Sequence, residues 1–157
     1  MKIGALTTIA AAAVAASLPL AAHHSFSAEF DGTKQIKATG SVTKLDWQNP
    51  HGWIHLTVTE LCERTAPPGP PSPDAQEQEW VCRTPDSKEG AADWAFEIGS
   101  PNGLMRQGWT RNSLKAGDVV TVQGSRARDG STNSNARSVV TADGKRMFAG
   151  SSQDTTP

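Results

Sequence analysis

The amino-acid sequence predicts a mainly β protein: a small OB-like Greek-key β-barrel with one short helix between its third and fourth strands. Apolar and polar residues alternate over several short segments, which is typical of strands with one buried face. β-branched residues are concentrated in the same segments. The predicted order of elements is strand, strand, strand, short helix, strand, strand, which is the order of an OB-fold. A generic small β-sandwich is the alternative architecture.

The first 22 of the 157 residues have the pattern of a secretory signal peptide. Lys2 precedes an apolar, Ala-rich run that ends in small residues, and cleavage after Ala22 would leave His23 as the first residue. The alternative is a retained membrane anchor. Such an anchor needs about 20 strongly apolar residues, and the hydrophobicity of this Ala-rich run is too low. We therefore predict a periplasmic or secreted monomer with no membrane span after cleavage. Its parts are an N-terminal arm at 23–33, a domain at 34–148 and a disordered tail at 149–157.

The first two strands are predicted at 34–47 and 51–61. In the first strand the apolar positions change parity after Val42, and a two-residue period cannot change face without an extra residue. We therefore predict a bulge or sharp coil between Gly40 and Lys44. In the second strand the inward face is predicted to carry Ile54, Leu56 and Val58, and Asn49-Pro50 before it signals a turn.

Residues 63–90 read as an insertion that contains a polyproline-like loop at 66–73. A short strand is predicted at 78–83. Cys62 and Cys82 are the only cysteines of the chain, and export to an oxidising compartment favours a disulfide between them. Two lone thiols lack the paired spacing of a zinc site. The bridge would close a loop of roughly 20 residues and stabilise the fold by about 3 kcal/mol.

The C-terminal half contains the remaining predicted elements. A third strand at 92–99 precedes a short helix with Ser100 as N-cap, Pro101 at its first position and Gly108 at its end. Leu104 and Met105 are expected on the inner side of this helix. A fourth strand at 119–122 is followed by a polar loop at 126–135, a fifth strand at 136–142, a turn at 143–144 and a sixth strand at 145–148.

Seven short stretches of the predicted mature chain carry a family resemblance. They are His23-His24-Ser25-Phe26, Trp47-Gln48-Asn49-Pro50-His51, Trp94-Ala95-Phe96-Glu97, Ser100-Pro101-Asn102, Gly108-Trp109-Thr110-Arg111, Gly117-Asp118-Val119-Val120-Thr121-Val122 and Ala127-Arg128-Asp129-Gly130-Ser131. Together they resemble the uncharacterised exported bacterial proteins grouped as domain of unknown function 6152. The resemblance implies export and a small β-barrel, and it implies no activity, substrate or catalytic residue. The insertion at 63–90 departs from the family pattern. The two cysteines at its edges therefore indicate a disulfide that is local to this chain rather than a family feature.

The four histidines are the candidate metal ligands, because imidazole suits Cu(II) and Zn(II). After cleavage, His23 would offer its α-amine and its ring to one ion, and His24 would offer a different chelate through the amide. His51 or His55 would supply a third imidazole. These residues do not specify a cofactor with certainty, and the ion that they would suit is copper or zinc. The competing interpretation is structural, with these side chains only satisfying local polar groups.

The spacing of His51 and His55 limits a shared site. Four residues of strand place their Cα atoms about 13 Å apart, whereas a histidine nitrogen lies about 2 Å from its metal. Pro50 and the β-branched residues exclude a helix, on which this spacing would suit one ion. We therefore expect only one of the two histidines to share a metal site with His23. His51 is better placed to reach it, because it lies at the turn.

A metal-independent binding module is the alternative function. Trp47 and Trp53 flank the turn and are expected to be partly exposed, where they would stack a sugar or another flat ligand. Arg106 and Arg111 would bind an anion. Trp94 and Trp109 are expected to lie in the core. A third interpretation is a structural envelope protein that binds a partner through its Pro-rich loop.

Charge and motifs bear on two further classes of function, nucleic-acid binding and catalysis. Residues 101–148 hold eight Lys and Arg against three Asp and Glu, so this half could attract an anion, although such charges usually solvate strand faces. The full chain has a formal net charge of −1, and an exported protein without a basic excess is not expected to bind nucleic acid. No Gly-x-Ser-x-Gly elbow, Cys-x-x-Cys or phosphate loop is present, so the sequence predicts no enzyme.

Overall fold

The computed structural model describes residues 26–65, 79–86 and 92–150. The predicted signal peptide at 1–22, the candidate ligands His23 and His24, and the polyproline-like segment at 66–73 lie outside the described residues. The same holds for residues 151–157 of the predicted tail.

Strands dominate the described residues, which confirms the predicted mainly β class. In chain order the elements are α1 (Phe26–Glu29), β1 (Phe30–Asp46), β2 (Gly52–Thr65), β3 (Val81–Arg83), β4 (Asp93–Ile98), α2 (Pro101–Arg106), β5 (Val119–Ala127), β6 (Asn133–Thr141) and β7 (Arg146–Phe148). Strand β1 begins at Phe30, so the second half of the predicted arm at 23–33 is strand, and α1 supplies the helical turn before it.

The five long strands pair in a closed ring. Strand β1 pairs with both β2 and β5, β5 pairs with β6, β6 pairs with β4, and β4 pairs with β2. All these pairs are antiparallel except β4–β6, which is parallel. The short strands are additions to this ring, because β3 pairs with the far end of β2 and β7 pairs with β6. The 17 residues of β1 allow it to pair with two neighbours along most of its length.

The predicted irregularity in β1 is confirmed. The register against β2 shifts between Thr39 and Gly40 and again between Val42 and Lys44. Gly40 allows the strands to approach, because a Cβ there would lie 2.3 Å from the carbonyl oxygen of Thr57. The shifts let β1 keep apolar residues toward the core on both sides of the bulge.

The ring encloses one apolar core. The inward positions predicted for β2 are buried, and so are the two tryptophans expected in the core, Trp94 and Trp109. The largest side chains that are almost wholly buried are Trp109, Phe96, Ile36, Ile54, Leu56, Leu61, Ile98 and Leu104. Trp47 and Leu45 are only partly buried and pack against the edge of this core. The predicted partial exposure of Trp47 and Trp53 is therefore confirmed.

Helix α2 begins and ends as predicted, but the side chain of Met105 is exposed rather than packed against the core. The hydroxyl oxygen of Ser100 accepts a hydrogen bond from the backbone N–H of Gly103, and Gly108 has a positive φ of 88° just past the helix. Leu104 is buried, whereas Met105 is 53% exposed. The expectation that Met105 packs inward is wrong, because successive residues of a helix lie about 100° apart and this short helix buries a single stripe.

Strands β5 and β6 are longer than predicted, and the first two residues of the predicted tail at 149–157 are buried. Strand β5 continues to Ala127 and β6 begins at Asn133, so only 128–132 form the loop predicted at 126–135. The turn at Asp143–Gly144 and the pairing of β7 with β6 are confirmed. Ala149 and Gly150, assigned to a disordered tail from sequence, are buried, and the carbonyl of Ala149 accepts a hydrogen bond from Gly99 N.

Candidate binding sites around the β1–β2 turn

The turn that joins β1 to β2 supplies residues to two neighbouring surfaces. Residues 47–51 form this turn, and its Asn49–Pro50 peptide bond is cis. Gly52, the first residue of β2, sits tightly, because a Cβ there would lie 2.9 Å from the carbonyl oxygen of Asp46 and about 3 Å from Ile98. The turn is therefore held directly against the start of β2 and the end of β4.

The first surface is the outer face of β1, β2 and β4, which we call the histidine face; it consists of Lys44, Asp46, His51, Trp53, His55 and Glu97. His51 Nδ1 lies 2.6 Å from Glu97 Oε1, and the two side chains are 38% and 13% exposed. An imidazole N–H donates to a carboxylate, so the second ring nitrogen, Nε2, keeps its lone pair when His51 is neutral. Glu97 thereby fixes both the orientation and the tautomer of His51.

His55 is paired with a different carboxylate. Its Nε2 lies 3.0 Å from Asp46 Oδ2, while Lys44 Nζ lies 2.6 Å from Asp46 Oδ1. The hydrogen bond from Lys44 is the largest cause that lowers the pKa of Asp46, and the bond from His55 adds to it. Partial burial opposes this shift but does not reverse it. Asp46 therefore stays ionised further into the acid range than an ordinary aspartate.

Trp53 separates the two pairs on this face. It is opposite Asp46 of β1 on one side and opposite Glu97 of β4 on the other. His51 and His55 flank it along β2, and each histidine contacts a carboxylate of a different strand. The structure therefore places both predicted histidines on one face, and each has its own carboxylate partner.

The described residues do not bring three free metal-ligating side chains together. Within 26–65, 79–86 and 92–150, only Glu60, Cys62 and Cys82 form a set of three such groups whose ligand atoms lie within 4.8 Å of one another. The predicted disulfide joins Cys62 to Cys82, which are directly opposite on β2 and β3, so neither sulfur is a thiolate. A metal site built on His51 would need donors from outside these ranges, such as His23 or His24.

The second surface is an open groove of about 400 Å³, which we call the Trp47 groove. Its walls come from the β1–β2 turn and α2, and its floor comes from the segment after α2. The lining residues are Trp47, Gln48, Asn49, Pro101, Asn102, Met105, Trp109, Thr110 and Arg111. Three of the stretches that carry the family resemblance thus meet in one place.

Of the four residues predicted to bind a ligand, the groove unites Trp47 with Arg111. Trp53 belongs to the histidine face, and Arg106 is an exposed residue at the end of α2 that does not line the groove. The floor is fixed, because the indole Nε1 of buried Trp109 donates a hydrogen bond of 2.7 Å to the carbonyl oxygen of Phe148.

A third cluster was missed from sequence because it lies in the insertion. Trp80, just before β3, is flanked by two cations: Lys37 Nζ lies 5.1 Å and Arg64 Cζ 4.5 Å from its ring centroid. Such distances are within the range of cation–π attraction. Together with the disulfide, Trp80 anchors β3 to β1 and β2. Its role as an anchor could not be predicted from the Pro-rich sequence around it, because that role depends on the pairing of β2 with β3.

Asp46 and Glu97 were also missed, for a different reason. Each occupies an outward position of its strand, and strand alternation alone could have predicted that exposure. The pairing with a histidine depends on which strands are neighbours, and β1 and β4 flank β2 only in the folded molecule.

The described residues form a small mainly β protein, in which a closed ring of strands carries two histidine–carboxylate pairs beside an aromatic groove. The chain belongs to a family of unknown function, DUF6152, whose family model matches residues 9–66 and 76–136. The predicted resemblance is thereby confirmed. Between the two matched ranges only residues 67–75 are unmatched, so the expectation that the whole insertion at 63–90 departs from the family pattern is too broad. Cys62 and Cys82 both lie within the matched ranges. Neither the curated proteins nor the solved structures contain a significant match. No helix of the described residues is long and apolar enough to cross a membrane.

Proposed function

We propose that the domain is an OB-like Greek-key β-barrel that acts as a binding protein of the cell envelope. The cyclic strand order β1-β2-β4-β6-β5 supports this architecture. So do the one parallel pair between β4 and β6 and the short helix that follows β4. The signal-like residues 1–22 support export to the periplasm or beyond, and the Cys62–Cys82 disulfide is consistent with an oxidising compartment.

The bound ligand that we propose is a copper or zinc ion held by His51. The observation that carries this proposal is the contact of 2.6 Å between His51 Nδ1 and Glu97 Oε1. Metal-binding histidines commonly donate their second ring N–H to a carboxylate, which orients the ring and raises its basicity. His51 is also the more exposed partner of the pair, and its second ring nitrogen, Nε2, would be the metal ligand.

The other ligands in this proposal come from the processed N-terminus. His23, exposed by cleavage after Ala22, would contribute its α-amine and its imidazole, and His24 offers the alternative chelate. His55 is a weaker candidate for the same ion. Its Nε2 is engaged by Asp46 of β1, on the opposite side of β2 from Glu97, the partner of His51. Imidazole and amine nitrogens suit Cu(II) and Zn(II) better than Mg²⁺ or Ca²⁺.

The test is metal binding by the processed protein, measured by calorimetry and by the shift in melting temperature with Cu(II) or Zn(II). We expect a gain in melting temperature, because an ion that binds only the folded state stabilises it. His51→Ala should abolish most of the gain. Glu97→Gln should weaken binding by about 10- to 100-fold, as for other carboxylates behind a metal-binding histidine.

Two controls separate this site from adventitious binding. Gln48→Ala changes an exposed residue of the same turn and should leave the affinity unchanged. One extra residue before His23 should weaken binding, because it removes the chelate of ring and α-amine. Equal affinity of the wild type and His51→Ala would refute the role of His51, and absence of any copper or zinc binding would refute the metal proposal.

The second candidate function is a metal-independent binding module for a glycan, an anion or a protein partner. The observation that favours it is the Trp47 groove, in which an aromatic side chain and an arginine face one open volume of about 400 Å³. This volume is within the range of small-molecule sites, roughly 300–1,000 Å³. Quenching or a shift of Trp fluorescence on titration with envelope glycans and anions tests this candidate without reference to metal.

A further inference from the structure

The Trp47 groove carries one fixed positive charge. The backbone around Arg111 is held by a short turn, in which Thr110 N donates to Ser113 Oγ at 2.8 Å and Asn112 N donates to Thr110 Oγ1 at 3.2 Å. The guanidinium of Arg111 makes no hydrogen bond or ion pair with any described residue. A rigid base with an unpaired guanidinium at a groove is a ready donor for a bidentate oxyanion.

Among the described residues, none of those that line the groove is acidic, so none neutralises that charge. Its other polar lining groups are amides and one hydroxyl, including Asn49 from the turn and Asn102 from α2. Asp46, next to Trp47 in sequence, is engaged on the histidine face by Lys44 and His55. The groove therefore has a net positive charge among the described residues, and charge complementarity favours an anion.

The remaining walls are apolar and exposed. Met105 is 53% exposed at the groove, Trp47 is partly exposed, and the buried Trp109 forms the floor. Methionine is a flexible, polarisable side chain that adapts to irregular ligands, and an indole offers a flat face for stacking. These walls suit a flat apolar body rather than a bare inorganic ion.

We propose that the Trp47 groove binds a small organic carboxylate on a flat ring, with the carboxylate at Arg111 and the ring between Trp47 and Met105. This inference rests on the second candidate function, that the domain is a binding module, and it does not depend on metal binding at His51. It names the ligand class and the two ends of the site.

The experiment is calorimetric titration of the processed, exported protein with matched probes. Naphthalene-2-carboxylate should bind, and naphthalene-2-carboxamide, which has the same ring and no charge, should bind at least about tenfold more weakly, because a hydrogen bond to a charged group contributes more than a neutral one. Acetate and inorganic phosphate should bind more weakly than the ring carboxylate, because they cannot use the apolar walls.

Two arginine variants locate the charge. Arg111→Gln should reduce the affinity for the carboxylate by about 10- to 100-fold and bring it close to that of the carboxamide. Arg106→Gln is the matched control, since it removes an exposed arginine of the neighbouring helix that does not line the groove, and it should change the affinity less than about twofold. Met105→Ser should weaken the carboxylate and the carboxamide by the same factor.

The outcomes separate this inference from the broader proposal. Equal binding of carboxylate and carboxamide, or an unchanged affinity in Arg111→Gln, would overturn the anion assignment and leave a binding module for a neutral ligand. Phosphate binding as tight as the ring carboxylate would overturn the assignment of the apolar walls. Absence of binding by every probe would overturn the groove as a site and would leave metal binding at His51 unaffected.

Discussion

Among the described glycines, Gly124 of β5 leaves the least room for a Cβ atom. A Cβ at this position would lie 1.6 Å from the carbonyl oxygen of Asn135 and 2.7 Å from its carbonyl carbon, both backbone atoms that cannot rotate away. The register of β5 against β6 also shifts between Gln123 and Gly124. A glycine is therefore required for these two strands to remain paired.

We expect Gly124→Ala to lower the free energy of unfolding by about 3 kcal/mol or more, at the upper end of overpacking costs. Urea denaturation measures the change. Gly32→Ala is the matched control, because its Cβ would meet only Phe26 Cε1 at an ordinary 3.6 Å, and it should be nearly neutral. A Gly124→Ala protein as stable as the control would contradict the described β5–β6 pairing.

Asp46 gives the histidine face a predicted pH dependence. Its pKa is lowered in the folded state, first by the hydrogen bond from Lys44 and then by the bond from His55. A depressed folded pKa contributes stability that is present above the unfolded value, near 3.8, and is lost as pH falls through the folded pKa. The wild type should therefore lose more stability on acidification below about pH 4 than Asp46→Asn does.

The control for this prediction removes the larger cause and keeps the carboxylate. Lys44→Met should abolish most of the acid-dependent difference between the wild type and Asp46→Asn, whereas His55→Gln should abolish a smaller part. Chemical denaturation at a series of pH values measures each difference. Parallel pH profiles for the wild type and Asp46→Asn would show that these contacts do not form in solution.

At the scale of elements, β3 depends on cross-links to stay on the sheet. It has only three residues, all of them exposed at the level of the whole residue, and it pairs with β2 alone. The disulfide closes a sequence separation of 20 residues, and Trp80 adds contacts with Lys37 and Arg64. Backbone pairing over three residues at a sheet edge would be marginal without these additions.

Replacement of both cysteines by alanine should therefore act locally as well as globally. We expect a loss of about 3 kcal/mol in the free energy of unfolding from the restored freedom of the open loop. Hydrogen exchange should accelerate in Val81–Arg83 much more than in β5 or β6. Trp80→Leu with the disulfide intact should cost only about 1–2 kcal/mol, from two lost cation–π contacts. Unchanged protection of β3 without the disulfide would contradict its role as an anchor.

At the scale of the whole molecule, Ala149 and Gly150 extend the described fold beyond β7. Ala149 N donates to the carbonyl oxygen of Arg137 at 2.9 Å, and Gly99 N donates to the carbonyl oxygen of Ala149 at 2.8 Å. Both distances are typical of backbone hydrogen bonds. Both Ala149 and Gly150 are buried. Ala149 therefore links Gly99, just after β4, to Arg137 of β6.

A chain that ends at Phe148 should therefore be less stable than one that ends at Gly150. The shorter chain leaves the N–H of buried Gly99 without its partner, and an unsatisfied buried group costs about 1–3 kcal/mol. It also loses the bond from Ala149 N to the carbonyl oxygen of Arg137, which is an exposed residue. Both chains lack residues 151–157, so the comparison isolates Ala149 and Gly150. Thermal unfolding of the two chains is the measurement, and equal melting temperatures would assign Ala149 and Gly150 to a dispensable tail.

Sequence alone determined the class of the protein and most of its elements, because alternation, capping and turn chemistry are local. The change of parity in β1 predicted its bulge, and Ser100 and Gly108 predicted both ends of α2. Cys62 and Cys82 predicted their own bridge. Strand ends were less well predicted, as in β5 and β6, because polar residues such as Arg126 and Asn133 extend a strand only when a neighbouring strand is present to pair with them.

Tertiary structure alone decided what the candidate residues contact. His51 and His55 were found from sequence, but Glu97 and Asp46 became their partners only because β4 and β1 flank β2. Trp47 and Arg111 are 64 positions apart and meet in one groove because the β1–β2 turn lies beside the segment after α2. Local patterns specify which face a side chain occupies, whereas contacts between distant residues depend on strand order and register, which only the folded chain sets.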